Sequence, residues 1–270
     1  MSNNLNLNGS VALVTGAAHG LGLGMSEALV KRGAYVSLID IDEEAGNTAI
    51  TNLEKKYNAS GRALFLKCDV TNKDEFEGAF KKIIEKFGKL HIVVNNAAIM
   101  TKYLDAWEKA ININFKSVVH STLLSFKYIE NTNNKNIAVI NISSISALSS
   151  TILPVYQATK RAIIEFTRSI GCEYNTRMNN NNIRVMAICP GPTFNIDEDN
   201  EDIDMIVEKL KVYITRGETN PNPDRKIVIQ STDYIQNALL HVLANGKSGE
   251  VWIAENKDLP RLACLPAVQY

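Results

Sequence analysis

Apolar residues fall in short runs along this chain, and between the runs they recur every third or fourth position. Val11 to Thr15 is an apolar run closed by Gly16, the pattern of a buried strand. From Leu21 to Arg32 the spacing is helical, and Gly33 stands where a C-terminal glycine cap belongs. Tyr35 to Ile39 predicts a second strand. Asp42 is placed to cap a helix reaching about Tyr57. Ala63 to Leu66 predicts a third strand. Thr71 is the expected cap of a helix whose Phe76, Phe80, Ile83, Ile84 and Phe87 share one face. His91 to Val94 predicts a fourth strand.

The alternation continues. A long helix is expected from about Leu104 to Tyr128, then a polar turn at Asn131 to Asn136 and a strand at Ile137 to Ile142. A helix from Tyr156 to Tyr174 and an Asn-rich loop at Met178 to Asn182 precede a strand at Ile183 to Cys189. A helix from Thr232 to Ala244 and a last strand at Val251 to Ile253 complete the pattern. Strands alternating with helices imply parallel βαβ units and a sheet covered on both faces. The expected class is α/β, a doubly wound parallel sheet of Rossmann type. It forms a single domain over residues 1–270, with a substrate lid around 194–223. Pro190 to Pro223 is the least regular stretch, and a loop of that length in a compact domain is usually functional. Met205, Ile206, Val207, Leu210, Val212, Tyr213 and Ile214 predict an amphipathic helix in that lid.

Composition narrows the partners. The 270 residues are 45% hydrophobic, and Lys+Arg and Asp+Glu balance at 29 each. Zero net charge provides no general attraction to nucleic acid or to an anionic membrane. The opening MSNNLNLNGS lacks the basic flank and apolar run of a signal peptide, which predicts a cytoplasmic location. Cys68, Cys172, Cys189 and Cys264 have neither CxxC nor metal-site spacing, so reduced thiols and no metal are expected.

The candidate chemistry lies in two places. After the first strand comes Thr15-Gly16-Ala17-Ala18-His19-Gly20-Leu21-Gly22. Glycines let a pyrophosphate approach the backbone, and the following helix N-terminus offers free N–H groups. Asp40 ends the second strand, 24 residues beyond Gly16. An acid there accepts from both adenosine ribose hydroxyls and repels a 2′-phosphate. Ile41 follows it rather than Arg or Lys, so NAD is expected over NADP. The second place is Tyr156-Gln157-Ala158-Thr159-Lys160. Its Tyr and Lys, four apart, share a helix face. An ammonium near a phenol favours phenolate, and such a Tyr can act as a general base.

Together these motifs resemble the short-chain dehydrogenase/reductase family, classical type. TGAAHGLG is similar to its TGxxxGxG loop, and Asn95-Asn96-Ala97-Ala98 to NNAG with Ala98 in place of glycine. Ile113-Asn114, Asn141-Ile142-Ser143-Ser144, the Tyr156 and Lys160 pair, and Cys189-Pro190-Gly191 match further family motifs in order. The resemblance covers residues 7 to 255. Trp107-Glu108-Lys109, Pro154-Val155-Tyr156, Phe166-Thr167-Arg168-Ser169 and Ala187-Ile188-Cys189-Pro190-Gly191 are most similar to one branch. That branch holds the NAD-dependent 15-hydroxyprostaglandin dehydrogenases and insect alcohol-dehydrogenase-like relatives.

The resemblance implies roles. Tyr156 exchanges the substrate hydroxyl proton, Lys160 holds the nicotinamide ribose and lowers the Tyr156 pKa, and Ser144 binds the reacting oxygen. Asn114 positions a water leading from Lys160 to solvent. Gly16, His19, Gly20, Leu21, Gly22, Asp40 and Ile41 would hold the adenosine diphosphate half. Asp69 and Val70 would contact adenine, Asn96 and Ala97 the ribose, and Pro190, Gly191 and Thr193 the nicotinamide side. The implied reaction interconverts a secondary alcohol, expected to be lipid-like such as a hydroxy fatty acid or prostanoid, and its ketone; the lid helix either contacts that substrate or packs on the core. A homodimer is implied, with a tetramer as the larger form. Two features depart from the family. Its usual Ser-to-Tyr separation is thirteen, which would select Ser143, whereas the local NISS motif selects Ser144. Ala also replaces glycine at positions 98 and 147, which would strain any backbone there with positive φ. The rival reading is a catalytically silent NAD-binding regulator.

Overall fold

The computed structural model describes residues 5–100, 104–129, 136–148, 153–172, 182–194 and 228–265. The first half reads β1 (Val11–Thr15), α1 (Gly20–Lys31), β2 (Tyr35–Asp40), α2 (Glu43–Tyr57), β3 (Ala63–Lys67), α3 (Lys73–Phe87) and β4 (Ile92–Asn95). After a 3₁₀ turn at Leu104–Ala106 come α4 (Trp107–Ile111), a π turn (Asn112–Lys116), α5 (Ser117–Tyr128) and β5 (Ala138–Ile142). A second 3₁₀ turn (Ile145–Leu148) leads to α6 (Pro154–Ile170) and β6 (Arg184–Pro190). The short strands β7 (Thr193–Phe194) and β8 (Gln230–Ser231), then α7 (Thr232–Asn245), β9 (Val251–Ala254) and β10 (Arg261–Leu262) follow.

Eight strands form one sheet in the order β10-β9-β6-β5-β4-β1-β2-β3. All of its pairs are parallel except β10 with β9. Parallel strands must bury both faces, and β1 shows how. Ala12 and Val14 enter one core with Met25, Leu29 and Leu239, whereas Val11 and Leu13 enter another with Phe76, Phe80 and Leu124. The order reverses between β1 and β4, and ligands of such sheets bind beyond the strand ends at that reversal.

The predicted elements form, with instructive differences. Asp42 caps α2 by accepting from the Ala45 N–H. Asn72, not Thr71, caps α3, accepting from the Asp74 and Glu75 N–H groups. Thr71 instead donates to Asp69, at 2.8 Å. The expected continuous helix from Leu104 to Tyr128 is interrupted by the π turn. A π turn takes up an extra residue and commonly marks a functional position. Here it contains Asn114, fully buried. The helix bearing Tyr156 begins at Pro154, whose missing N–H costs nothing in a first turn, and stops at Ile170 rather than Tyr174. Neither Ala98 nor Ala147 is among the residues with positive φ, so the expected strain does not arise. The strands β7, β8 and β10 have two residues each, too short for periodicity to reveal. The lid segment 195–223 and most of both Asn-rich loops lie outside the described residues.

One buried histidine ties the base of the sheet together. His91 accepts the Val11 N–H on Nδ1 at 3.0 Å, so its proton sits on Nε2. Burial, with Lys89 nearby, lowers its pKa below the ordinary 6.5. A lowered histidine means that the unfolded chain binds more protons. The contribution to stability is therefore present above the ordinary histidine value and is lost as pH falls below it. The melting temperature is expected to drop between about pH 7 and about pH 5, and less so in His91→Asn, whose amide oxygen accepts the same N–H without titrating. Thermal melts across that range check this. An equal drop in both proteins would assign the effect to His120 and His241, also lowered by burial.

Candidate active site

The glycine loop is held in shape by the end of β4. Asn96 Nδ2 donates to the carbonyls of Thr15 and Gly16, at 2.9 and 3.0 Å. Thr15 Oγ1 accepts in return from the Asn96 and Ala97 N–H groups, at 3.0 Å each. Gly16 has φ +62°, and a Cβ there would lie 2.8 Å from Ala97 Cα. A Cβ on Gly22 would strike the Gly16 carbonyl. The loop is therefore packed so closely that only glycine fits at positions 16 and 22. Asn96 and Ala97, expected as ribose contacts, are also its buttress.

Asp40 fastens the other side. One carboxylate oxygen accepts from the Ala18 N–H at 3.0 Å and the other from the Asp42 N–H at 3.2 Å. These bonds aim the carboxylate at the loop and keep it at the cleft wall beside Ile41. Asp69 and Val70 line the same wall, and Asp69 accepts from Thr71 N and Oγ1. His19 departs from expectation. Its imidazole is exposed and lies 3.0 Å from Asp42, outside the cleft. The Asp42 carboxylate draws it there and has its own pKa lowered, first by that hydrogen bond.

The cleft continues to the C-terminal ends of β5 and β6, with a volume of about 760 Å³. Tyr156, Lys160, Pro190, Gly191 and Thr193 line this end, as do the apolar Ile99, Met100, Ile113, Ile145 and Leu153. The Ser144 side chain is near enough to Tyr156 to lower its pKa. Ser144 Oγ also accepts from the Ser146 N–H at 3.2 Å and pairs with Ser146 Oγ at 2.9 Å. Ser143 lies on the cleft floor, but its hydroxyl donates to the Lys160 carbonyl at 2.7 Å. Ser143 thus lines the cleft with its hydroxyl committed to Lys160, whereas Ser144 lies outside the lining residues and acts on Tyr156 from beside it.

Lys160 is 2% exposed. Its Nζ donates to the Ile142 carbonyl at 2.8 Å and lies 5.7 Å from the Tyr156 ring centre. Burial drives the Lys160 pKa down to about 8. Burial also raises the Tyr156 pKa, against the lowering effect of Ser144. The expected lowering of Tyr156 by Lys160 is therefore not what the polypeptide itself produces. Taking both groups out of water favours the neutral form of each, and this outweighs a charge bonded to the Ile142 carbonyl.

The side chain of Asn114 is bonded within the protein. Its Oδ1 accepts from the Ile99 N–H at 2.8 Å, while its Nδ2 donates to the Ile99 carbonyl at 2.9 Å and to Thr159 Oγ1 at 3.2 Å. Thr159 Oγ1 donates to the Tyr156 carbonyl at 2.7 Å. The side chain of Asn114 thus ties the loop after β4 to the helix bearing Tyr156 and Lys160. Sequence reading passed over Thr159 and Ser146. The signal for Thr159 was its place between the two candidate residues, and Ser146 carried none. Among the described residues, no cluster of three or more His, Cys, Asp or Glu could hold a metal. No described helix is long and apolar enough to cross a membrane.

A short chain dehydrogenase family profile matches residues 10–200. The chain belongs to the short-chain dehydrogenase family. It is 39% identical over 189 residues to the 15-hydroxyprostaglandin dehydrogenase (NAD(+)) of Homo sapiens, covering 69% of each chain. It is 32% identical over 191 residues to a 3beta-hydroxysteroid dehydrogenase of Mediterraneibacter gnavus, covering 68% of this chain and 66% of that one. The fold matches a glucose/ribitol dehydrogenase-type short-chain dehydrogenase/reductase from Brucella melitensis, with TM-score 0.71 at 19% identity over 91% of this chain and 94% of that one. As a short-chain dehydrogenase, the chain is an oxidoreductase acting on CH–OH groups, and the branch suggested by its local stretches includes the human relative. The glycine loop, Asp40 and the Tyr156 end then make one continuous site on this family's sheet.

Proposed function

We propose that this protein is an NAD-dependent oxidoreductase that interconverts a lipid-like secondary alcohol and its ketone. The observation that carries the reading is one cleft that holds Tyr156 and Lys160 at one end and Asp40 at the other. The residues present fit a dinucleotide. Gly16 and Leu21 line the cleft where α1 begins, Gly16 is packed so closely on Ala97 and Gly22 that its backbone is exposed to a ligand without a side chain, and Asp40 is a carboxylate on the same wall. Bound NAD supplies the hydride chemistry.

The chain's own residues do the rest. Ser144 and Tyr156 hold the substrate oxygen between two hydroxyls. Tyr156 accepts its proton in oxidation and returns it in reduction. Lys160, anchored on the Ile142 carbonyl, supports the ribose next to Tyr156. Asn114 and Thr159 keep the helix and the Ile99 loop in register, which fixes the approach geometry on which such reactions depend. Ile99, Met100, Ile113, Ile145 and Leu153 exclude water and favour an apolar substrate. The relatives named for a hydroxyprostaglandin and a hydroxysteroid support that class.

Absorbance in the reduced-nicotinamide band tests the reading. NAD and then NADP are offered with alcohols from short alkyl to hydroxy fatty acid, prostanoid and sterol. Signal with NAD and lipid alcohols supports it. Signal only with short alcohols removes the substrate class, and silence with every alcohol removes the reaction. Asp40→Ala is expected to weaken NAD about ten- to hundredfold, the value of hydrogen bonds to a charged acceptor. NADP should be weakened far less, because the same change removes a repulsion. Equal loss for both cofactors would sink the role of Asp40.

The reading includes a cytoplasmic homodimer. Leu104, Trp107, Ile111 and Leu123 are 64%, 48%, 38% and 52% exposed along the 3₁₀ turn, α4 and α5, and exposed apolar residues gathered on one element favour a subunit contact there. Light scattering distinguishes dimer from monomer or tetramer.

A further inference from the structure

Behind Thr193 sits a buried amide whose every hydrogen-bonding end is used. Gln230 is fully buried at the start of β8, directly opposite Thr193 in the β7–β8 pair. Its Nε2 donates to the Ala254 carbonyl at 2.8 Å and to Thr193 Oγ1 at 3.2 Å. Its Oε1 accepts from the Lys257 N–H at 3.3 Å. Its own backbone N–H donates to the Pro192 carbonyl at 3.0 Å. The amide orientation is therefore set twice. Only the nitrogen end can serve the Ala254 carbonyl, and only the oxygen end the Lys257 N–H. An N–H must point at Thr193.

This decides what Thr193 can offer. Its one hydroxyl proton goes to the Gly191 carbonyl at 2.8 Å. One lone pair takes the Gln230 N–H, and one lone pair remains. Thr193 lines the cleft at the Tyr156 end, so it meets a ligand there as an acceptor. The chain holds this arrangement against strain. Asn256 and Lys257 both have left-handed backbones, with φ of 59° and 63°. Such a backbone is unfavourable in a non-glycine residue and persists only when its surroundings over-determine it. The Lys257 N–H that Gln230 accepts is part of those surroundings.

We infer that Gln230 is a positioning residue that fixes Thr193 as the hydrogen-bond acceptor for the carboxamide N–H of the nicotinamide. It acts through Thr193 and does not line the cleft. The inference rests on the reading of the cleft as an NAD site. Under it, the cleft selects a ring substituent that donates.

The test is equilibrium binding of three probes: NAD, ADP-ribose, which lacks the nicotinamide, and 3-acetylpyridine adenine dinucleotide, which keeps the carbonyl but has no N–H. Gln230→Met preserves length and removes the donor. It should weaken NAD about tenfold, the value of one hydrogen bond, and leave ADP-ribose within about twofold. The wild-type preference for NAD over the acetylpyridine analogue should shrink in the variant. In a Thr193→Val background, Gln230→Met should cause no further loss of NAD. Gln230→Glu keeps the shape, puts an acceptor in place of the donor and should shift the probes in the same direction, which secures the test if the Met variant does not fold. Equal weakening of NAD and ADP-ribose, or an undiminished Gln230→Met effect in the Thr193→Val background, would overturn the inference alone. A wild-type protein that binds neither NAD nor ADP-ribose would overturn the cofactor reading and this inference with it.

Discussion

Tyr156→Phe is expected to lower turnover by about three orders of magnitude, the range of a lost general acid–base group, while NAD affinity stays within about twofold. The substitution removes one oxygen and leaves the ring that packs beside Lys160. What disappears is the group that exchanges the proton and half of the hydroxyl pair around the substrate oxygen. Steady-state kinetics and cofactor binding on the same preparation separate these effects. In the oxidative direction the wild-type rate should rise with pH. The phenolate is the proton acceptor, and burial holds the Tyr156 pKa above its ordinary value. Turnover unchanged in Tyr156→Phe would remove the tyrosine from the chemistry.

The second large effect belongs to a methyl group. Gly22→Ala is expected to cost about 2 kcal/mol of stability, as overpacking of a tight contact does, and to weaken NAD by about tenfold or more. The new Cβ would lie 2.8 Å from the Gly16 carbonyl carbon and closer still to its oxygen. Both neighbours are backbone, so relief requires the loop to leave β1 or α1 to tilt. Either movement pulls the loop away from Asn96, which holds Gly16 from the other side. Gly78→Ala is the control of opposite sign. No atom lies within 4 Å of a Cβ there, the residue is in the middle of α3, and alanine should add roughly 0.5–1 kcal/mol. Denaturant melts and NAD titration of the two variants check both signs. A Gly22→Ala protein with wild-type NAD affinity would mean that the loop is not where the cofactor lies.

Much of this protein is legible because its determinants are local. The apolar run Val11 to Thr15 needs no partner to read as a buried strand, and Asp42 caps the helix that follows it in the chain. The glycine loop and the Tyr156-to-Lys160 spacing carry their chemistry within a few consecutive residues. The π turn is less accessible. Its helical periodicity continues on both sides, and the extra residue shows only in how Asn114 comes to face Ile99.

The remaining site geometry was decided by contacts between distant segments. Ser143 and Ser144 are chemically alike in sequence. The fold separates them: the Ser143 hydroxyl donates to the Lys160 carbonyl, and that of Ser144 pairs with Ser146. His19 sits in the loop motif, yet a carboxylate 23 residues away takes its imidazole out of the cleft. The direction of the Tyr156 and Lys160 shifts depends on burial, a property of the assembled core. Gln230, 37 residues beyond Thr193, acquires its place only when β7 and β8 pair. Sequence alone thus determined the alternating elements, the family motifs and the identity of the reactive side chains, because periodicity and short-range spacing encode them. Tertiary structure alone decided which hydroxyl faces which, which groups are taken out of water, and which amide stands behind Thr193. Those depend on hydrogen bonds and desolvation between residues that are neighbours only after folding.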